Sequence, residues 1–255
     1  MKINAVILAG GRAGDKLGGY TGENNEALIN IGSFPMIDYI VKAFANFDYA
    51  EKIALVGPKG ELEARYGNQK RIILAPPGET AAGSVVNGLK VLGDSRYVLI
   101  ASSDIPLIDA MILKKFVDSC FEMGEADLYY PIIERSINEG KYPGAERTYV
   151  HLKEGEFTGG NIVLLKPEIV EPRVGLAEQL IDLRKKPLSL CRFIGMGFVL
   201  KYLCGRLTVE EAAERFSRLL DIKALAVNCM YPEIGMDVDK PSDLELVEQV
   251  LASTS

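Results

Sequence analysis

The chain has 255 residues, 48% of them hydrophobic, and a formal charge of −6. This length and apolar content suit one α/β domain at the upper end of the usual size range. The acidic balance excludes bulk binding to nucleic acid or an anionic membrane, so any anion site has to be local.

The first predicted strand, Ile3 to Ala9, breaks into the glycine-rich, cationic run Gly10-Gly11-Arg12-Ala13-Gly14-Asp15-Lys16-Leu17-Gly18-Gly19. Glycines let the backbone turn and approach a ligand, and successive N–H groups with Arg12 and Lys16 supply positive potential for phosphate oxygens. It is no P-loop, because Leu17 and not Ser or Thr follows Lys16. A dinucleotide fingerprint is also disfavoured: the next strand, Ile53 to Val56, runs into Gly57-Pro58 with no ribose-holding carboxylate.

Further strands are predicted at Arg71 to Ala75 and Tyr97 to Ser102, with helices at Pro35 to Phe47, Glu61 to Tyr66, Thr80 to Leu92 and Leu107 to Met123. Beyond them lie a strand near Asp127 to Ile133, a polar excursion to Gly155 and a strand at Gly160 to Leu165. Helices follow at Gly175 to Lys185, Leu188 to Cys204 and Thr208 to Leu220, the last opened by a Thr208/Glu211 capping box. A strand at Lys223 to Cys229 and a helix from Ser242 to Leu251, with Ser242 as N-cap, close the chain. Alternating strands and helices predict a three-layer α/β/α sandwich around a mostly parallel, mixed, Rossmann-like sheet. A single domain is expected, with residues 1–107 and 108–255 as its two halves.

Cys120, Cys191, Cys204 and Cys229 form no Cys-x-x-Cys pair, and the lone His151 completes no zinc spacing with them. They are expected to be reduced, buried thiols. The apolar run Phe193 to Leu200 is far below the ~20 residues of a membrane span, and a cytoplasmic protein is expected.

In an open parallel sheet, ligands bind beyond the carboxyl ends of the strands. There Ser102-Ser103-Asp104-Ile105-Pro106 puts Asp104 opposite the glycine loop. A carboxylate facing a phosphate site suits a divalent cation, with Mg²⁺ held by one or two carboxylates plus phosphate oxygens. Asp237 and Asp239 in Gly235-Met236-Asp237-Val238-Asp239-Lys240-Pro241 offer the second carboxylate, without a choice between them. The structural alternatives are a helix N-cap for Asp104 and a turn for the pair. Arg147, Tyr149 and His151 alternate, and if extended they share a face that lines an acceptor pocket or faces solvent.

Five segments in order resemble the MobA-like nucleotidyltransferases, which share a GT-A-like fold with the cytidylyltransferases and sugar-phosphate nucleotidyltransferases. They are Leu8-Ala9-Gly10-Gly11 with its following basic residues, Glu26-Ala27-Leu28-Ile29-Asn30-Ile31-Gly32-Ser33-Phe34-Pro35-Met36, Gly83-Ser84-Val85-Val86-Asn87-Gly88-Leu89, Ser103-Asp104-Ile105-Pro106-Leu107 and Asp237-Val238-Asp239-Lys240-Pro241-Ser242-Asp243-Leu244. The resemblance implies Mg²⁺-dependent transfer of a nucleoside monophosphate from an NTP to a small, phosphorylated acceptor, with release of pyrophosphate. It implies Leu8, Ala9, Gly10, Gly11, Gly83 and Ser84 as nucleotide-binding, Arg12 and Lys16 as the catalytic cations, and Asp104 with Asp237 or Asp239 at the metal. For Ser84, the structural alternative is an N-cap in the second turn of the Thr80 to Leu92 helix.

Two departures stand out. Lys16 sits where the family generally has arginine, and Glu26 replaces the lysine that in the family helps neutralise the phosphates. A catalytically silent nucleotide binder and a GT-A glycosyltransferase using a nucleotide sugar are the alternative functions. The latter normally needs Asp-x-Asp where this chain has Ser102-Ser103-Asp104.

Overall fold

A computed structural model describes residues 2–183 and 195–254. The apolar run Ile3–Leu8 forms β1, an interior strand of a mixed sheet that has nine strands among the described residues. It lies parallel to β4 (Ala50–Val56) on one side and β6 (Val98–Ser102) on the other. Buried from both faces, such a strand reads as a continuous hydrophobic run rather than an alternating one. β5 (Ile72–Ala75) pairs with β4 at the far edge. Beyond β6 come the antiparallel β10 (Ile162–Leu165), then β7 (Leu128–Glu134), which also pairs with β9 (Gly155–Gly159) and, in parallel, with β11 (Ala224–Asn228). β8 (Val150–Leu152) pairs with β9.

The period of two along β1 separates two cores. Ile3, Ala5 and Ile7 pack with Ile37, Ile40 and Phe44 of α2 (Met36–Ala45) and with Ile112, Leu113 and Phe116 of α5 (Ala110–Glu122). Val6 points the other way, towards Val85, Leu89 and Leu92 of α4 (Ala81–Leu92). Helices therefore cover both faces, as the α/β/α reading expects. Among the described residues, no helix is long and apolar enough to cross a membrane.

Several elements depart from the sequence reading. The second half of the glycine run is α1 (Asp15–Thr21), closed by Gly22 at φ +75°. A hairpin of β2 (Asn30–Ile31) and β3 (Phe34–Pro35) turns at Gly32, where φ is +60°. The short predicted helix at Glu61 is α3 (Lys59–Tyr66). The excursion holds α6 (Arg135–Lys141), β8 and β9. α5 begins at Ala110 rather than Leu107, because the Asp109 carboxylate accepts from the Ile112 N–H at 2.8 Å and sets the N-cap there.

In the C-terminal part, α7 spans Val174–Leu183, α8 Met196–Leu203 and α9 Val209–Leu220, the last with the predicted capping box. The stretch 188–194 of the predicted Leu188 to Cys204 helix, and Cys191, lie outside the described residues. Cys120 and Cys229 are buried free thiols as expected, whereas Cys204 is exposed. Ser242 lies inside the final helix α10 (Pro241–Thr254), and the Asp243 carboxylate takes the capping part by accepting from the Asp239 and Lys240 N–H groups, each at 3.2 Å.

Gly88 lets α4 lie directly on the sheet. A Cβ there would stand 2.8 Å from Val6 Cγ1 and 2.9 Å from Val56 Cγ2, both fully buried. Gly88→Ala is therefore expected to destabilise the chain by about 1–3 kcal/mol despite alanine's better helix propensity. Chemical denaturation reads this directly, and a neutral or stabilising result would mean that α4 can lift off the sheet at no cost.

Candidate functional site

The parallel register brings Leu8 level with Val56 on one side and Ser102 on the other, and Val56 level with Ala75. The segments following these strands thus emerge side by side at one edge. Gly10, Gly11, Arg12, Ala13, Asn24, Asn25, Pro58 and Pro77 line a cleft of about 470 Å³ there.

The glycine loop is held from below by the segment that follows α1. Asn25 Nδ2 donates to the Ala9 carbonyl at 3.2 Å, Ala13 N–H to Asn24 O at 3.0 Å, and Glu26 N–H to Gly11 O at 3.2 Å. Among the described residues, none accepts from the N–H groups of Gly10, Gly11 or Arg12. Consecutive uncommitted amides beside a guanidinium make an anion-binding concavity. The absent side chains are part of it: a Cβ on Gly10 would stand 3.0 Å from Pro77 Cβ, and one on Gly11 2.8 Å from Glu26 Oε2. Lys16 is exposed on the first turn of α1 and does not line the cleft, so of the two predicted cations only Arg12 does.

Beside the loop lies a group of carboxylates, which Glu26 joins to it. Asp104 follows β6 and accepts from Ser102 Oγ. Asp109 takes the cap of α5, so the N-cap alternative for Asp104 falls away. Asp104's backbone carbonyl accepts from the Val238 N–H at 3.0 Å, which fastens the Asp237-Val238-Asp239 segment alongside. Val238 is fully buried, and its two acidic neighbours flank that anchor. Carboxylate oxygens of Glu26, Asp104 and Asp239 all lie within 4.8 Å of one another. Asp237 turns instead to Arg147, whose Nε is 3.5 Å from its Oδ1.

Packing negative groups together out of water disfavours ionisation. Burial first, then the charges of Asp104, Asp239 and Asp237, push the Glu26 carboxyl up to about 8. Burial also raises Asp104, against the Ser102 hydrogen bond. Asp237 is pushed up to about 6 by burial, with Arg147 opposing and Asp239 and Asp104 adding to the rise.

Gly83 and Ser84 lie in the first turn of α4 and do not line the cleft. Thr80 caps this helix by accepting from Gly83 N–H at 3.0 Å. The buried Ser84 Oγ accepts from Gly78 N–H at 2.9 Å, and Asn87 Nδ2 donates to Pro76 O at 3.1 Å. Ser84 thus ties down the loop that carries Pro77 and is not an N-cap, a part that Thr80 takes.

Arg147, Tyr149 and His151 share no strand face, since β8 begins only at Val150. Arg147 is buried, donating to Gly235 O at 3.1 Å and Asp237 O at 2.7 Å and pairing with Asp243 at 3.1 Å. It fastens the excursion to the loop bearing Asp237 and Asp239. Tyr149 OH accepts from Asn138 Nδ2 at 2.8 Å, and His151 is exposed.

The family profile described as MobA-like NTP transferase domain matches residues 5–154. A 2-C-methyl-D-erythritol 4-phosphate cytidylyltransferase of Clostridium tetani is 31% identical over 117 residues, 44% of this chain and 46% of that protein. A D-ribitol-5-phosphate cytidylyltransferase of Xenopus tropicalis is 26% identical over 149 residues, 52% of this chain and 35% of that protein. The chain thus spans about half, or less, of the length of these curated relatives. Among solved structures, a hypothetical transferase from Thermus thermophilus superposes with a TM-score of 0.82 at 31% identity, over 96% of this chain and 100% of that one. CMP:2-keto-3-deoxy-manno-octonic acid synthetase, complexed with CTP, shares the fold with a TM-score of 0.63 at 14% identity, over 100% of both chains.

Two stability measurements check this geometry. Arg147→Ala leaves buried carboxylates uncompensated and is expected to cost about 3–5 kcal/mol. A loss below ~1 kcal/mol would mean that the loop is held by other contacts. Glu26 carries a proton in the folded chain up to about pH 8, whereas an unfolded glutamate loses it near pH ~4.3. Between those values the native state binds more protons, so the stability of the metal-free chain falls as pH rises. Glu26→Gln should flatten that fall, and an unchanged slope would remove Glu26 from the charge cluster.

Proposed function

We propose that this chain, which belongs to the MobA-like NTP transferase family, transfers a nucleoside monophosphate from an NTP to a small phosphorylated acceptor and releases pyrophosphate. The observation that carries the reading is that the open amides of Gly10, Gly11 and Arg12 leave the sheet at the same edge as Asp104, with Glu26, which reaches Gly11, converging on the carboxylates of Asp104 and Asp239. Open donors next to converging acidic oxygens suit a triphosphate with a divalent cation between phosphate and carboxylate. The donor set fits such a cation, being all oxygen and all carboxylate, the hard ligands that Mg²⁺ and Mn²⁺ take. A bound divalent cation would neutralise charge on the phosphates as the bond to the leaving group breaks.

The chain's own residues have the remaining work. The glycine-loop amides and Arg12 hold the triphosphate, and an oxygen of the acceptor phosphate attacks the α-phosphorus. The α–β bridging P–O bond breaks, and its electron pair leaves with pyrophosphate. The attacking oxygen is already ionised, so positioning and charge neutralisation replace a general base. This is consistent with a chain whose single histidine, His151, is exposed on an edge strand. Arg12 is the stronger candidate of the two loop cations, because Lys16 lies outside the cleft lining.

The relatives are named for cytidylyl transfer to polyol phosphates, which supports CTP and a phosphorylated polyol or sugar as the first substrates to try. A catalytically silent nucleotide binder is the second reading, favoured by Glu26, whose carboxylate adds negative charge beside the phosphate loop.

Pyrophosphate release from each of the four NTPs with Mg²⁺, against a panel of polyol and sugar phosphates, separates these readings. Acceptor-dependent release with one NTP is expected, with CTP the leading candidate. Asp104→Asn should lower turnover by roughly a hundredfold or more while moving stability by less than ~1 kcal/mol. Mg²⁺-dependent thermal stabilisation by an NTP with no release from any acceptor would instead support the silent binder.

A further inference from the structure

We infer that Glu26 is itself a ligand of the divalent cation, so that Glu26, Asp104 and Asp239 together load the metal before any nucleotide arrives. The inference rests on the transfer reading for the identity of the cleft and its cation, and goes beyond it in the residue and in the order of binding. Oxygens of the three side chains lie within 4.8 Å of one another, and among the described residues no Lys or Arg forms an ion pair with any of them. The nearby Arg147 is spent on Asp237 and Asp243. The Glu26 carboxylate also occupies built space: its Oε2 lies 2.8 Å from where a Gly11 Cβ would be, so the glycine at position 11 is what admits it. The side chain is held there by its own backbone, through Glu26 N–H to Gly11 O at 3.2 Å and Asn25 Oδ1 accepting from Ala27 N–H at 2.9 Å.

The consequence follows from charge and ligand number. Mg²⁺ sites on phosphate-transfer proteins typically use one or two carboxylates and rely on substrate phosphates for the rest. Two carboxylates alone hold a cation weakly until the nucleotide completes the shell. A third converging carboxylate raises the protein's share of that shell and the local field that attracts the ion. Without a cation this acidic cluster offers a bare triphosphate nothing to bind, which makes the cation a precondition for nucleotide binding rather than its companion.

The probe is Mn²⁺ titrated into the chelator-treated, nucleotide-free chain, with free Mn²⁺ followed by its electron paramagnetic resonance signal. The wild-type chain is expected to bind Mn²⁺ without nucleotide. Glu26→Gln, which keeps the shape and removes the charge, should weaken that binding by roughly tenfold or more, as direct ligation demands at least what supporting residues contribute. Asp104→Asn serves as the reference loss at the same site. Without metal, Glu26→Gln should melt at or above the wild-type temperature, because it removes the cost of placing a carboxyl beside Asp104 and Asp239; a purely structural residue would lower the melting point and leave Mn²⁺ affinity alone.

Mn²⁺ affinity unchanged in Glu26→Gln, or wild-type binding that appears only once an NTP is added, would overturn the inference. Pyrophosphate release reports separately on the transfer reading. Glu26-dependent Mn²⁺ binding with no release from any NTP would sink that reading and leave the metal assignment standing; release with Glu26-independent Mn²⁺ binding would do the reverse.

Discussion

Everything at the site depends on the parallel register of β1 between β4 and β6. Because Leu8, Val56 and Ser102 end level, the glycine loop, the Gly57-Pro58 turn and Asp104 leave the sheet at one edge. The driving force is apolar burial on both faces of β1, where Ile3, Ala5, Val6 and Ile7 are all essentially inaccessible. A one-residue slip would swap the residues facing the two helix layers and move the loop relative to Asp104. The precision needed to set phosphate donors against carboxylates is thus inherited from packing rather than from the polar groups themselves.

A second constraint joins the two ends of the chain. The C-terminal acidic segment reaches Asp104 through one backbone hydrogen bond, from Val238 N–H to Asp104 O. It is held from the other side by Arg147, whose guanidinium bonds the carbonyls of Gly235 and Asp237 and the carboxylate of Asp243. Asp243 in turn accepts from the Asp239 and Lys240 N–H groups as the final helix begins. This network divides the labour between two adjacent acids that the sequence leaves equivalent. Asp237 is drawn to arginine, and Asp239, on the other side of the buried Val238, is left facing Asp104.

The strands outside the β2–β3 hairpin and the excursion, the two-sided helix cover and the strand-end placement of Gly10, Gly11 and Asp104 were legible because each follows from local periodicity or from a general rule about parallel sheets. What was not legible depends on pairs distant in sequence. Arg147 looked like one residue of an alternating strand because nothing in Arg147-Thr148-Tyr149-Val150-His151 announces partners near residue 240. The helix at Asp15 was hidden by its glycines, whose low propensity is outweighed by packing of the fully buried Leu17 with Ile29, Ile31 and Val238. Asp109 rather than Asp104 caps α5, a choice between neighbouring aspartates that is made only by where the chain finishes turning after Pro106.

Glu26 shows most sharply how position changes the meaning of a residue. By sequence it is a departure that subtracts a positive charge from the phosphate-binding apparatus. In the fold its carboxylate meets Asp104 and Asp239, residues 78 and 213 positions later. Burial and like charge push its carboxyl up to about 8, so the cluster is unstable as three bare anions near neutral pH. Two things relieve it: protons, or a cation that takes their place. On the proposed reading, a cation that takes the place of those protons would turn this carboxylate from an obstacle to phosphate into part of what retains the ion. Loss of a lysine and gain of a carboxylate at this position are therefore compatible with nucleotide binding, provided the metal comes first.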